Sequence, residues 1–486
     1  MRGTVYGRYE VVIGLEVHAQ LSTESKAFSS DSAAFGGLPN THVSPVSLGH
    51  PGTLPVVNEK LLEYAVKMGL ATNCSIRTES FFARKNYFYA DLPKGYQITQ
   101  DTHPICYEGF INITLKNGSR RQLRIHRIHM EEDAGKSMHD QEQHNSLIDL
   151  NRAGVPLIEI VSEPDIRSGE EAGLYLTEVR RVLRYLEICD GNMEEGSMRC
   201  DANISVRLKG ETRLGIRCEV KNLNSIRNVQ RAIDFEARRQ IDILESGGKI
   251  EQHTLNFDPD SGETAPLRAK ETANDYRYFP EPDMPPLLLT GAYIDEIRAG
   301  LPMMPEEWQQ KLANEYGLPE YDASVLTESK RMVLYFEAMA AATQNYKAAA
   351  NWLMGPVKSY LNDEGLDMAR FPLPPEKLAE LINLIDAGKL NYSVAAQILF
   401  PAMLKNPSAS PANLIDTLGV GIDNSSDQLT GFIEEVIARH PDKVKQYQSG
   451  KKGLIGMFMG EVMKLSKGKI DPKTANRLMA EKLEKA

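Results

Sequence analysis

Four stretches of this 486-residue chain alternate apolar with polar positions, and the polar positions carry acids, histidines and arginines. In residues 12–21, Ile13, Leu15, Val17, Ala19 and Leu21 point one way, and Gly14, Glu16, His18 and Gln20 the other. Residues 125–133 set Ile128 and Met130 against Arg127, His129, Glu131 and Asp133. Residues 198–208 set Met198, Cys200, Ala202, Ile204, Val206 and Leu208 against Arg199, Asp201, Asn203, Ser205 and Arg207. Residues 216–221 repeat the pattern with Arg217, Glu219 and Lys221. A polar strand face is ordinarily the wet side of a sheet. These faces hold few of the Lys and Thr residues usual there. Paired as neighbours, the strands would form a concave floor of carboxylates, imidazoles and guanidinium groups. That is the equipment of phosphoryl transfer: carboxylate oxygens hold Mg2+, and Arg or Lys neutralises charge on the transferred group.

Two further segments fit the same floor. Asp149-Leu-Asn-Arg-Ala-Gly-Val-Pro156 leads into an apolar strand that Glu159 interrupts. An acid there is costly unless paired or bound to a metal; Arg152 is the available cation for the first reading. Lys270-Glu271 and Asp275-Tyr-Arg-Tyr278 form a charge cluster that reads either as part of the site or as a surface loop. Other signals fail. Gly135-Lys136-Ser137 resembles the end of a phosphate-binding loop, but Met130 occupies the place of its first glycine. Gly419-Val-Gly421 has no strand before it. No serine elbow or cysteine glutaminase signature is present. A chain equipped to activate an acid but not to release ammonia from an amide donor needs a partner.

The elements that must position these residues change along the chain. The first ~290 residues read as β-rich, with period-2 alternation and Gly, Pro and Asn turns. A Pro-rich break follows at residues 278–286, then helical pattern: a helix start at Pro305-Glu-Glu-Trp308, and helix formers over residues 338–353. Near the end Leu454, Ile455, Phe458, Met459, Val462 and Leu465 recur at helical spacing, and Asp471-Pro472 opens a last helix. The fold class expected is α+β: an antiparallel-sheet catalytic cradle over 1–295, a helical connector over 296–410 and a small all-α basic tail over 411–486.

Composition narrows the class. Apolar residues at 42% and charged residues at 25% suit a globular protein. No apolar run reaches the length of a membrane span and no secretion signal opens the chain, so a cytoplasmic protein is expected. Five cysteines without a CxxC pair read as buried thiols. The net charge of −10 hides a split: from Arg439 onward 12 basic and 5 acidic residues give +7, leaving −17 on the rest. A basic tail on an acidic body suits a polyanionic partner, although a solvated helical face has the same composition.

Seven ordered stretches resemble the signatures of the B-subunit family of the tRNA-dependent amidotransferases. They are Ile13-Gly-Leu-Glu-Val-His-Ala-Gln-Leu21, Tyr87-Phe-Tyr-Ala-Asp-Leu-Pro-Lys-Gly-Tyr-Gln97, His129-Met-Glu-Glu-Asp-Ala-Gly-Lys136, the run from Asp149 to Ile160, Gly196-Ser-Met-Arg-Cys-Asp-Ala-Asn203, Glu219-Val-Lys-Asn-Leu-Asn224 and Asp275-Tyr-Arg-Tyr-Phe-Pro-Glu-Pro-Asp283. The stretch 453–482 resembles that family's helical tail. The resemblance implies a glutamine-synthetase-like cradle in which ATP phosphorylates the side-chain carboxylate of Glu on tRNA(Gln) or Asp on tRNA(Asn). Ammonia from an amidase A subunit then displaces phosphate, a small C subunit clasps the other two, and the tail and helical parts bind the misacylated tRNA. It implies Mg2+ ligation by His18, Glu131 and Glu159, with Glu132 and Glu16 beside them; the alternation turns Glu132 to the other face. By chemistry, Glu16, Arg199, Asp201, Glu219 and Lys221 are assigned to catalysis, and Arg217, Lys270, Tyr87 and Lys94 to ATP.

One departure concerns zinc. Some family members carry two cysteine pairs where this chain has Ser29, Asp31, Ser44 and Ser47. Serine hydroxyls do not replace thiolates, so no zinc is expected. Two other functions remain in view. A scaffold that only holds RNA would present a basic surface here. A free-standing carboxylate–amine ligase would leave the basic tail unused.

Overall fold

The computed structural model describes residues 7–138, 145–269, 276–422, 426–466, 470 and 472–485. The chain divides into two compact units, Met1–Met304 and Pro305–Ala486.

The first unit is built on a nine-stranded sheet. In chain order its strands are β1 (Tyr9–Gln20), β2 (Ser75–Ile76), β3 (Cys106–Thr114), β4 (Arg120–Glu132), β5 (Pro156–Ser162), β6 (Met198–Leu208), β7 (Cys218–Leu223), β8 (His253–Phe257) and β9 (Thr264–Ala269). Their order across the sheet is β9-β8-β7-β6-β1-β5-β4-β3-β2. Neighbours run antiparallel except β7 and β8, which are parallel, so the sheet is mixed rather than purely antiparallel. β1 lies in the middle, paired along its length with β6 and over its second half with β5.

The apolar positions of the alternation face a core, except Leu208, which ends β6 and is 42% exposed. Ile13, Leu15, Val17 and Ala19 of β1 are fully buried, together with Ile128, Met130, Ile158, Ile160, Met198, Ala202, Ile204 and Val220 of the neighbouring strands. Three helices that the β-rich reading omits cover this face: α1 (Glu59–Ala71), α2 (Gly169–Tyr185) and α3 (Ile226–Glu245). Each opens on a polar cap, with Asn58, Ser168 and Ser225 accepting from the backbone of the first turn. Each then buries one stripe, such as Leu61, Ala65 and Met68 of α1 or Leu176, Val179 and Leu183 of α2. Sheet on one side and helices on the other make a two-layer α+β unit whose uncovered face is the polar one. The five cysteines are buried free thiols.

The second unit is helical among its described residues. It begins with the helix Pro305–Asn314, as the Pro-Glu-Glu-Trp signal implies. The helix formers of 338–353 do not form one helix: Lys330–Ala340 ends, and Asn345 caps a new helix over Tyr346–Trp352. The helices Ser426–Arg439, Pro441–Gln448, Ile455–Leu465 and Pro472–Lys485 share their own core of Ile433, Val436, Phe458, Val462, Met479 and Leu483. Asp471, Lys467 and Lys469 lie outside the described residues. No described helix is long and apolar enough to cross a membrane.

Candidate active site

The register of β1 assembles the polar face. Glu16 stands opposite Asp201 of β6, and His18 stands between Arg199 of β6 and Glu159 of β5. Glu159 in turn faces His129 of β4, two residues before Glu131. Neighbouring strands lie about 4.8 Å apart, so these side chains are forced into contact.

They form two groups. In the first, one ligand atom each from His18, Glu131 and Glu159 lies within 4.8 Å of the others. His18 Nε2 is 3.7 Å from Glu131 Oε1 and 3.5 Å from Glu159 Oε2. His129 Nε2 closes the group at 3.2 Å from Glu159 Oε2 and 3.7 Å from Glu131 Oε2. Burial alone would push the His18 pKa down, but Glu159, then Glu131 and Asp201, raise it to about 9. Burial would likewise raise Glu159, yet the charges of His129 and His18 hold it well below the usual carboxylate range. One imidazole nitrogen and two carboxylate oxygens at this separation fit a single hard cation completed by water.

In the second group, Glu16, Asp201 and Glu219 also offer ligand atoms within 4.8 Å of one another. Lys221 Nζ bridges them, 2.7 Å from Asp201 Oδ2 and 3.3 Å from Glu219 Oε1. Asn203 Nδ2 donates to Glu16 Oε1 at 2.9 Å and Thr254 Oγ1 to Glu219 Oε2 at 3.0 Å. Burial raises the Glu16 pKa, helped by Glu159, Glu219 and Asp201. Lys221 is shifted up: burial opposes its charge, but Asp201 and Glu219 outweigh that. Three carboxylates this close, with one ammonium beside them, offer oxygen donors that could hold a cation.

Arg199 flanks both groups. Its Nη2 donates to Asp133 Oδ1 at 2.9 Å, and Gln20 Nε2 holds the other oxygen at 2.6 Å. Asp133 is buried; burial would raise its pKa, but Arg199 and Arg152 lower it below the usual value. Arg152 therefore pairs with Asp133, at 3.7 Å, and not with Glu159, whose partners are the two histidines. The turn before β5 sends Arg152 there. Gly154 at φ +87° adopts the left-handed backbone, and its N–H bonds the carbonyl of Asp133 at 2.8 Å.

Of the remaining candidates, Glu132, Lys94 and Arg217 are not gathered with these groups. Glu132 turns to the opposite face, where its carboxylate is ion-paired with Lys94 and accepts from the Ile98 N–H at 2.9 Å. Lys94 is thereby committed to Glu132, and both line a cavity of about 210 Å3 on that side. Arg217 precedes β7 and is exposed. Lys270 lies outside the described residues, with Glu271 and Asp275. Tyr87 stands by the first group, its pKa raised by burial and by Glu131, Glu132 and Asp133.

The candidate set omitted His129, Asp133, Lys85 and Tyr278. His129 and Asp133 share the alternation of Glu131 and were open to the same reading. Lys85 and Tyr278 carry no periodic signal. The Lys85 ammonium lies 5.0 Å from the Tyr276 ring, and burial, which lowers its pKa, is outweighed by Tyr278, Glu131 and Glu159. At the departed zinc positions, Asp31 Oδ2 accepts from Ser44 N at 2.9 Å and from the Ser47 hydroxyl, and Ser29 Oγ lies 3.1 Å from Ser47 Oγ. This donor set contains no thiolate or imidazole and does not fit zinc.

Residues 11–295 match the family model described as the GatB/GatE catalytic domain, and residues 334–483 match the GatB domain. Curated relatives span nearly the whole chain. A protein of Caldicellulosiruptor bescii is 48% identical over 480 residues, covering 98% of this chain and 99% of its own. One of Thermosynechococcus vestitus is 50% identical over 484 residues, covering 98% and 96%. One of Paramagnetospirillum magneticum is 49% identical over 477 residues, covering 98% of each. Each of these relatives is named as the B subunit of an aspartyl/glutamyl-tRNA(Asn/Gln) amidotransferase.

Proposed function

This chain belongs to the GatB family of aspartyl/glutamyl-tRNA(Asn/Gln) amidotransferase B subunits, and from that premise we propose that its two carboxylate groups activate the acyl side chain at ATP's expense. The enzyme is a ligase that forms a C–N bond. In the reading supported here, the side-chain carboxylate of Glu-tRNA(Gln) or Asp-tRNA(Asn) attacks the γ-phosphorus of ATP. ADP leaves and an acyl phosphate forms. Ammonia then attacks the acyl carbon, phosphate departs with its bonding electrons, and the amide is left on the tRNA.

The observation that carries this reading is the placement of both groups on one strand, at Glu16 and His18. His18, Glu131 and Glu159 would hold one Mg2+, and Glu16, Asp201 and Glu219 the cation that accompanies the nucleotide. Such ions supply charge neutralisation on the phosphoryl oxygens. The chain's own cations act beside them. Lys221 is fixed by two carboxylates and offers its ammonium to the transferred group. Arg199, held by Asp133, is oriented to receive the substrate carboxylate or the departing phosphate.

Ammonia requires a partner, because none of the groups described hydrolyses an amide. An amidase A subunit and a small C subunit fill that role in this reading, in a heterotrimer working in the cytoplasm. The tail supports tRNA binding: Lys451, Lys473 and Arg477 are exposed. The alternative, a scaffold that merely holds the tRNA, is disfavoured by two acidic groups where RNA would need cations.

The test is phosphate release from ATP by the complete heterotrimer with uncharged tRNA, Glu-tRNA(Gln) and Asp-tRNA(Asn), for the wild type and Glu131→Gln. Release that requires Mg2+ and a misacylated tRNA, and is lost in a variant that still binds tRNA, supports the reading. Release indifferent to the substitution would move the chemistry elsewhere.

A further inference from the structure

Beyond the two carboxylate groups, the same polar face carries two arginines with no hydrogen bond or ion pair through their side chains among the described residues. The Nε atoms of Arg77 and Arg127 are shielded from solvent and unpartnered. Arg127 belongs to the row of His129 and Glu131 on β4. Tyr107 of β3 stands directly opposite it, so the two side chains adjoin on one face. Arg77, just beyond β2, bonds the Ile105 carbonyl through its N–H at 2.9 Å and lays its guanidinium over the Tyr107 ring, 4.7 Å from the centroid. Two half-buried arginines therefore flank one aromatic ring, each with its Nε shielded from water and without a partner. Leaving such donors unsatisfied is unfavourable, and an anion is their natural partner.

We propose that Arg77, Tyr107 and Arg127 form the seat of the terminal nucleotide of the acylated RNA, its phosphodiester on the guanidiniums and its base against the tyrosine. The proposal rests on the function inferred above and adds where the RNA end lies. Position supports it. Across the sheet, the Glu16–Asp201–Glu219 group spans β7, β6 and β1, and the His18–Glu131–Glu159 group spans β1, β5 and β4. The arginine pair lies on the far side of the second group, at β4, β3 and the end of β2. A nucleoside triphosphate brings several charges and a divalent cation, which suits the carboxylates. A diester carries one charge and needs no metal, which suits arginine beside an aromatic ring. With the diester on Arg127, the acyl arm runs along β4 towards Glu131, four residues or about 13 Å away.

The experiment uses the heterotrimer and measures KM separately for misacylated tRNA and for ATP, together with the salt dependence of tRNA binding. The variants are Arg77→Gln, Arg127→Gln and Tyr107→Leu, with Tyr107→Phe as the ring-preserving control. Each arginine variant is expected to raise KM for the acylated tRNA about tenfold or more, and to remove about 0.7 from the log–log salt slope. KM for ATP and the Mg2+ response stay as in the wild type. Tyr107→Leu raises KM for tRNA and Tyr107→Phe does not. A rise in KM for ATP instead would assign the arginines to the nucleotide's phosphates and overturn the proposal. Unchanged values for both substrates would overturn it too. An additional Lys replacement at either arginine guards against misfolding: it keeps the charge and the salt slope but loses the fork, so KM stays raised. Failure of the wild type to need acylated tRNA would overturn the underlying function, an outcome separate from a failed seat.

Discussion

Replacing Lys221 by Met should slow phosphoryl transfer while tightening Mg2+ binding, a pairing of opposite signs that follows from where the ammonium sits. Lys221 lies 2.7 Å from Asp201 and 3.3 Å from Glu219, in a group that Glu16 completes. As a fixed cation aimed at developing charge, its loss should lower kcat about 10²–10³-fold, or roughly 3–4 kcal/mol. For the metal the same ammonium is a competitor. With it the three carboxylates carry a net charge near −2, and without it near −3. A divalent ion and an ammonium about 5 Å apart repel by roughly 2–3 kcal/mol at an effective dielectric between that of a protein surface and water. Removing that repulsion should lower the Mg2+ Kd by one to two orders of magnitude, roughly. The loss of two partly exposed ion pairs should lower metal-free stability by about 1–3 kcal/mol, a discounted figure because a third of the Lys221 side chain is accessible. Added Mg2+ should restore part of this by mass action. The assays are phosphate release by the heterotrimer and Mg2+ titration of the chain by calorimetry and thermal shift. A variant in which rate and Mg2+ affinity fall together would refute the reasoning, because Lys221 would then be holding the acids in place instead of competing with the cation.

Two further outcomes are expected. Asp31→Asn should cost about 1.5–3 kcal/mol at neutral pH through the hydrogen bonds from Ser44 and Ser47, read as a lower urea midpoint. The Asp31 pKa is lowered, since those hydrogen bonds and Lys26 outweigh the opposing effect of burial. Its stabilisation is therefore present above the unfolded value of about 3.9 and lost as pH falls through the folded one, so the variant should have a flatter acid limb. One zinc ion per wild-type chain would remove the reason for treating this hydrogen-bonded group as the local staple. In the tail, replacing exposed Lys451, Lys473 and Arg477 by Gln should weaken tRNA binding and reduce its salt slope while leaving the Mg2+ response intact. Point changes are the better test here. The tail's core reaches back to Leu429 and Ile433, so cutting the chain at Gly450 would expose it. Unchanged tRNA affinity in the triple variant would detach the RNA from the tail.

Legibility followed the range of the interaction. Alternation is local, and it placed the inward and outward residues of β1, β4 and β6 except at the end of β6, where the sheet's core no longer reaches Leu208. It also turned Glu132 away from Glu131, where the Lys94 ion pair is found. Pairing is not local. That Glu159 meets His18 and His129, while Arg152 meets Asp133, depends on the registers of β5 against β1 and β4. Either acid was an equally good partner for Arg152 in one dimension. The parallel pairing of β7 with β8 was hidden for the same reason, because α3 carries the chain between them. The helices α1 to α3 were legible but overlooked. Ser168-Gly-Glu-Glu171 is a capping signal, and the Glu171 carboxylate does reach back to the Arg167 N–H at 2.8 Å. A period-2 reading of the whole first part passed over a period of 3.6. Lys85 left no trace, and Tyr278 stood only within a charge cluster that read as site or as surface loop, since their bearing on Glu131 and Glu159 arises from segments far apart in the chain.

The spacing of Glu16 and His18 explains why one strand is the critical element. They stand two positions apart on β1, about 6.6–6.8 Å along the strand and on the same face. One carboxylate group is built around the first and one around the second. A cation in each would thus be held a few ångströms apart, close enough for a phosphoryl group to pass from a nucleotide at one to a carboxylate at the other without either ligand set moving. The arrangement tolerates no slip. A shift of β1 by one residue would bring Leu15 and Val17 to the polar face and bury Glu16 and His18 among Ile160, Cys200 and Ala202. Pairing with β6 along the whole strand and with β5 over its second half pins the register from both sides. The apolar residues of β1 therefore contribute to chemistry as well as to stability: each fully buried side chain on the helix-covered face holds its polar neighbours on the other. On the two proposals above, activation of an acid and recognition of its RNA carrier would be consecutive stations across one sheet. That order is set by which strands lie beside β1.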